Sequence, residues 1–109
     1  MKLELSISED LTPVSLEKIA AFIVSLQKEN GEIPWSVGGK TDPWDHVEAA
    51  MGLTVGGYFE EARKAYLWSA LMQLPDGSWW ASYWGGVPEE GAHKDANMTA
   101  YIAAGVLHY

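Results

Sequence analysis

Residues 64–79, "KAYLWSALMQLPDGSW", decide the fold. Upstream of Gln73 the apolar side chains recur at helical spacing, from Phe59 and Ala62 through Tyr66 and Ala70. The segment "LPDG" then supplies a proline and an Asp-Gly pair, which end a helix and reverse the chain. Two indoles, Trp79 and Trp80, follow at once. Indoles are costly to leave in water, so they either bind something or hold the fold together.

The answer lies in an earlier copy of the same stretch. A shift of 46 residues lays Lys18 on Lys64, Phe22 on Trp68, Leu26 on Met72, Gln27 on Gln73 and Gly31 on Gly77. Trp35 and Trp79 each follow their glycine within a few residues. A shift of 53 lays Asp42 on Asp95, Ala50 on Ala103 and Gly52 on Gly105. Helix starts fall at Thr12–Pro13, at Asp42–Pro43 with Asp45 in the first turn, and at Asp95. Gly56 and Gly57 stop the second helix.

This pattern predicts four helices and no convincing strand. The chain reads as one all-α domain over 1–109, built from two αα-hairpin repeats at about 13–56 and about 57–109. In each copy the glutamine sits where orphan helix carbonyls need donors, the glycine permits the reversal, and the tryptophan packs as a stop. Gln27, Gly31 and Trp35, then Gln73, Gly77 and Trp79, read as one structural fastener used twice.

These residues resemble the QW repeat of squalene–hopene cyclases and related terpenoid cyclases, with "EKIAAFIVSLQKENGEIPW" as a looser second copy. "TDPWDHVEAAM" and "DANMTAYIAAGV" look closer still to bacterial prenyltransferase-like proteins. The resemblance implies an α/α toroid, in which outer helices surround inner helices whose N-terminal ends rim a central cavity. It also implies an apolar, isoprenoid-like small-molecule substrate. Such toroids contain about six hairpins and this chain has two. It is therefore expected to be either a fragment of a longer toroid or a homo-oligomer, with a closed homotrimer as the simplest ring.

Composition narrows the remaining classes. Of 109 residues, 48% are apolar and 20% charged, which describes a globular domain. The formal net charge of −8, with Lys and Arg scattered, argues against nucleic acid and anionic membrane surfaces. The absence of cysteine excludes disulfides and thiolate–metal sites. Neither a signal peptide nor a membrane span is recognisable, so a cytoplasmic location is expected. No cofactor and no metal are expected, because His46 and Glu48 stand two apart and point away from each other on a helix. The DxDD and DDxxD acid motifs of terpenoid enzymes are also missing.

In the toroid reading the inner-helix starts supply the candidate catalytic residues Asp42, Asp45, His46, Glu48 and Asp95. Carboxylates gathered at one rim can serve as acid and base. Trp44, Tyr83, Trp84 and Asn97 are the candidate substrate contacts. Each has a structural competitor: Asp42 and Asp95 stand where caps belong, and Asp45 gains from the helix dipole. His46 is the strongest functional candidate because no cap explains it, against the alternative of a hydrogen-bonded structural histidine.

Three functions compete. The first is a toroid binding or transforming an isoprenoid-like substrate. The second is a carbohydrate-active α/α barrel, glycosidase or lyase, with paired carboxylates and exposed tryptophans. The third is a non-enzymatic helical-repeat assembly module. An apolar cavity favours the first, a polar cleft with indoles the second, and no cavity the third. The resemblance ranks the isoprenoid reading ahead.

Overall fold

A computed structural model describes residues 14–109. Its elements, in order, are α1 (Leu16–Leu26), α2 (Pro43–Val55), α3 (Phe59–Met72), β1 (Tyr83–Trp84), β2 (Val87–Pro88) and α4 (Ala96–His108). The described residues are therefore mostly helical, with four helices and two short strands. None of these helices is long and apolar enough to cross a membrane.

Local chemistry sets the helix ends. Asp42 caps α2 by accepting from the Trp44 N–H at 2.8 Å, with Pro43 at the first helical position. Asp95 caps α4 by accepting from the Met98 N–H at 2.6 Å. The cap of α1 is Ser15, whose hydroxyl accepts from the Lys18 N–H at 3.1 Å. The expected start at Thr12 and Pro13 lies outside the described residues.

Helix α2 is the hub, packing against α1, α3 and α4. Its Val47, Ala50 and Leu53 are wholly buried, and Val47 and Leu53 each contribute about 1.5–3 kcal/mol of hydrophobic stabilisation. Close approach depends on small residues. A Cβ on Gly105 of α4 would strike the Val47 side chain, and one on Gly56 would strike Ala20 of α1.

The turns after α1 and α3 match bond for bond. Gln27 Nε2 donates to Gly31 O at 3.1 Å, as Gln73 Nε2 does to Gly77 O at 3.0 Å. The Lys28 N–H donates to Glu32 O, as Leu74 N–H does to Ser78 O, both at 2.8 Å. The side chains of Asn30 and Asp76 each accept from the N–H two residues on, at 3.0 Å. Gly31 and Gly77 take φ of 96° and 90°, which glycine alone adopts without strain.

The tryptophans do not match. Two residues beyond Gly77, Trp79 is buried and its Nε1–H donates to Ser69 O at 2.8 Å. Two residues beyond Gly31 stands Ile33, also buried, whereas Trp35 is 54% exposed with Lys40 Nζ 4.6 Å from its ring centroid. Trp35 is therefore not the wedge expected from the repeat. The insertion between Gly31 and Trp35 carries the indole past the position that faces α3.

Strands β1 and β2 correct the expectation of no convincing strand. They pair antiparallel, Tyr83 with Pro88 and Trp84 with Val87, around Gly85 and Gly86 at φ 55° and 81°. Thr41 forms a bridge to Tyr83 through two 2.8 Å hydrogen bonds. That bridge ties the residue before Asp42 to the second hairpin.

Candidate active site

Asp42 is positioned from both sides. Behind it, the buried Glu32 carboxylate accepts from the Thr41 hydroxyl and pairs with Lys28 Nζ at 3.4 Å. Across it, the Thr41–Tyr83 bridge carries the chain against β1. With its backbone fixed at the N-terminus of α2, Asp42 opens onto a polar cleft of about 270 Å³, together with Lys40, Ser82, Glu89, Glu90 and His93.

Two carboxyl groups of the cleft, Asp42 and Glu89, are shifted in opposite directions. Burial raises the Asp42 pKa above its usual value, and the charge of Asp45 adds to this, outweighing the Trp44 N–H. The side chains of Ser82 and then Trp84 lower the Glu89 pKa. Paired carboxyls with diverging pKa values are the usual arrangement for acid and base roles.

Three indoles adjoin residues of this cleft: Trp35 takes Lys40 over its ring, the Trp84 side chain hydrogen-bonds Glu89, and Trp44 follows Asp42 by two residues. Trp35 and Trp84 are about half exposed, and Trp44 is partly exposed beside Tyr101, with ring centroids 5.7 Å apart. Flat indole faces of this kind suit the C–H face of a sugar ring. Tyr83 does not join them. It is buried edge-on to Trp68 at 5.6 Å, and its hydroxyl accepts from the Trp80 N–H at 3.2 Å.

His46 is closed to solvent. Its Nδ1 accepts from the Ile33 N–H at 3.1 Å and its Nε2 donates to Ala65 O at 2.8 Å, which fixes a neutral tautomer. Its ring packs on Trp68 at 4.5 Å, and burial lowers its pKa to about 4. With both nitrogens engaged, it is a strut between the 31–34 segment and α3, not a proton shuttle. The structural alternative describes it.

Asp45 and Glu48 face solvent on the first two turns of α2. Asp95 stands beside Asp76 and Lys94 and does not line the Asp42 cleft itself, although its carboxylate reaches His93 of that cleft at 3.4 Å; Asn97 is exposed on the first turn of α4. The residues that sequence reasoning missed are Glu32, Lys40, Ser82 and Glu89. Nothing local distinguishes Glu32 from a surface glutamate, and the β-turn that brings Glu89 toward Asp42 has no helical period to signal it. Among the described residues no group of three potential ligands could hold a metal ion.

No family model matches the chain. It is 48% identical over 99 residues to an MMP endo-(1,4)-3-O-methyl-alpha-D-mannosidase of Mycolicibacterium hassiacum. The match covers 91% of this chain and 27% of that protein, so the chain spans about a quarter of its relative's length. This likeness overturns the resemblance to terpenoid cyclases and prenyltransferase-like proteins, because the relative is named for glycoside chemistry. The physical reason is visible in the two turns. A glutamine amide closing a Gly turn is a helix stop that any αα-hairpin can use, and it carries no information about the reaction.

Proposed function

We propose that this chain forms one wall of the active site of a glycoside hydrolase, and that its hairpins belong to an α/α barrel. The observation that carries the reading is Asp42, a carboxyl group with raised pKa lining a polar cleft, with the exposed Trp35 and Trp84 against its Lys40 and Glu89. The 48% identity to a mannosidase points to the same chemistry. The substrate class proposed is an α-1,4-linked mannoside bearing 3-O-methyl groups. Its methyls and ring C–H faces suit Trp35, Trp44 and Trp84, while its hydroxyls suit Lys40 and Glu90.

In this reading Asp42 holds the proton that passes to the glycosidic oxygen as the bond breaks. A second carboxylate then acts at the anomeric carbon, either directly or through a water. Two carboxylates of this segment are placed for it. Asp45 lies close enough for its charge to reach Asp42, and Glu89 lines the same cleft.

The test uses oligosaccharides of 1,4-linked 3-O-methyl-α-D-mannose. Binding is followed by tryptophan fluorescence and cleavage by release of reducing ends. Asp42→Asn should keep binding and lose about 10²–10⁴-fold in cleavage rate. Comparing Asp45→Asn with Glu89→Gln identifies the second carboxylate by the deeper loss. Absence of any fluorescence response to the mannoside, or full cleavage by Asp42→Asn, overturns the reading.

A further inference from the structure

A groove lies between α3 and α4, lined by none of the residues of the Asp42 cleft. It has a volume of about 600 Å³ and is largely apolar, lined among others by Tyr66, Ser69, Gln73, Gly77, Ala103 and Val106. Two buried hydroxyls line this groove without a hydrogen-bond partner among the described residues, Tyr66 Oη and Ser69 Oγ. A buried polar atom left without a partner costs about 1–3 kcal/mol, so the groove is incomplete as it stands.

The first hairpin shows what completes it. The equivalent face of α1 and α2 is filled by α3. Gln27 uses its amide a second time, donating to Glu61 O of α3 at 2.8 Å. Gly31 is so close to α3 that a Cβ there would strike the Lys64 carbonyl. His46 donates to Ala65 O, and Trp68 lies against its ring. The same positions of the second hairpin, Gln73, Gly77 and Thr99, border the open groove. Among the described residues Gln73 makes only its intra-turn bond, and a Cβ on Gly77 would meet nothing closer than the Gln73 amide at 3.9 Å.

The chain also displays the matching plug. On α3 the residues that enter the first hairpin's seat include the buried Ala65 and Trp68. Their equivalents on α1, Ile19 and Phe22, are 46% and 66% exposed. Among the described residues, helix α1 thus carries an uncovered apolar edge in the register at which α3 is covered. We infer that the α3–α4 groove is the seat for helix α1 of a second copy of this chain, in a head-to-tail contact that repeats the internal one. In that contact Gln73 donates to the Ser15 carbonyl, the equivalent of Glu61 O, and Gly77 accommodates the Lys18 carbonyl. The contact is heterologous, so it builds rings or open chains and not an isologous pair. The homotrimer expected from the repeat count is one closed form of it.

The test is the mass of the chain in solution by light scattering and sedimentation, from micromolar to hundreds of micromolar. Wild type should reach multiples of its 12.0 kDa as concentration rises. Phe22→Glu spoils the plug and Ala103→Arg fills the groove. Both sites are exposed, so both variants should keep the helical circular dichroism of wild type and run as monomers. Mixing them is decisive, because each retains the half the other lacks. A head-to-tail contact gives a capped 1:1 dimer of twice the monomer mass and nothing larger. Wild type that stays monomeric throughout overturns the inference and leaves the groove to a helix of a different polypeptide segment. Variants that assemble like wild type, or a mixture that stays monomeric, also overturn it.

Discussion

The turns at Gly31 and Gly77 have the same hydrogen bonds and nearly the same φ, yet one is a buried joint and the other borders an open groove. Around Gly31, Gln27 and His46 hold two carbonyls of α3. Around Gly77 no helix is present among the described residues. The lesson is that a turn motif specifies its own geometry, while its energetic weight depends on what packs against it. Identical local chemistry can therefore carry very different stability.

Substitution at the two glycines breaks the comparison most sharply. Gly31→Ala forces a Cβ into the Lys64 carbonyl in addition to the strain of positive φ, and should cost about 3 kcal/mol or more. Gly77→Ala meets only the strain, about 1–2 kcal/mol. Urea denaturation midpoints of the two variants measure the gap, and equal losses would show the turns to be equivalent after all.

Between pH 6.5 and 4, acidification acts on the joint through His46. Unfolded His46 takes up a proton near pH 6.5, whereas the folded ring stays neutral down to about 4. Between those values the unfolded state binds more protons, so stability falls as pH drops from 6.5 to 4, by about 3 kcal/mol over the full window. Stability curves at pH 7 and 4.5 should show the loss in wild type and not in His46→Gln.

Next come the glutamines. Gln27→Ala removes two hydrogen bonds, one of them to α3, and should cost about 2 kcal/mol. Gln73→Ala removes a single exposed bond and should cost about 0.5–1 kcal/mol. Thermal melts of the pair, at a concentration where the chain is monomeric, distinguish them. The smallest stability effect belongs to Trp35→Ala. Its indole is exposed, so unfolding should change by no more than about 0.5 kcal/mol, while mannoside binding weakens if that ring is a sugar platform.

How far each feature could be read depends on the distance its cause spans. Asp42 with Pro43, and Asp95, were legible as helix starts because a cap acts within three residues of itself. The Gln–Gly turns were legible for the same reason. Trp35 misled, since matching it to Trp79 by residue type ignored the inserted residues that give its register to Ile33. The short β-hairpin escaped because two-residue strands have no alternation to detect. The cleft was legible only on one wall: Asp42 stood out, while Glu89 and Ser82 reach it through that hairpin.

By itself, then, the sequence determined four helix segments, where α2 and α4 begin, the duplicated turn and a carboxylate-rich start to α2, all through interactions between residues near in the chain. Only the tertiary structure decided that His46 is a strut, that Glu32 is buried beneath Thr41, and that Asp42 and Glu89 share a cleft. Those outcomes rest on desolvation and on partners far along the chain, such as Ala65 for His46. Burial cannot be read from residue type, because a histidine or a glutamate enters a core only where the fold supplies its hydrogen bonds.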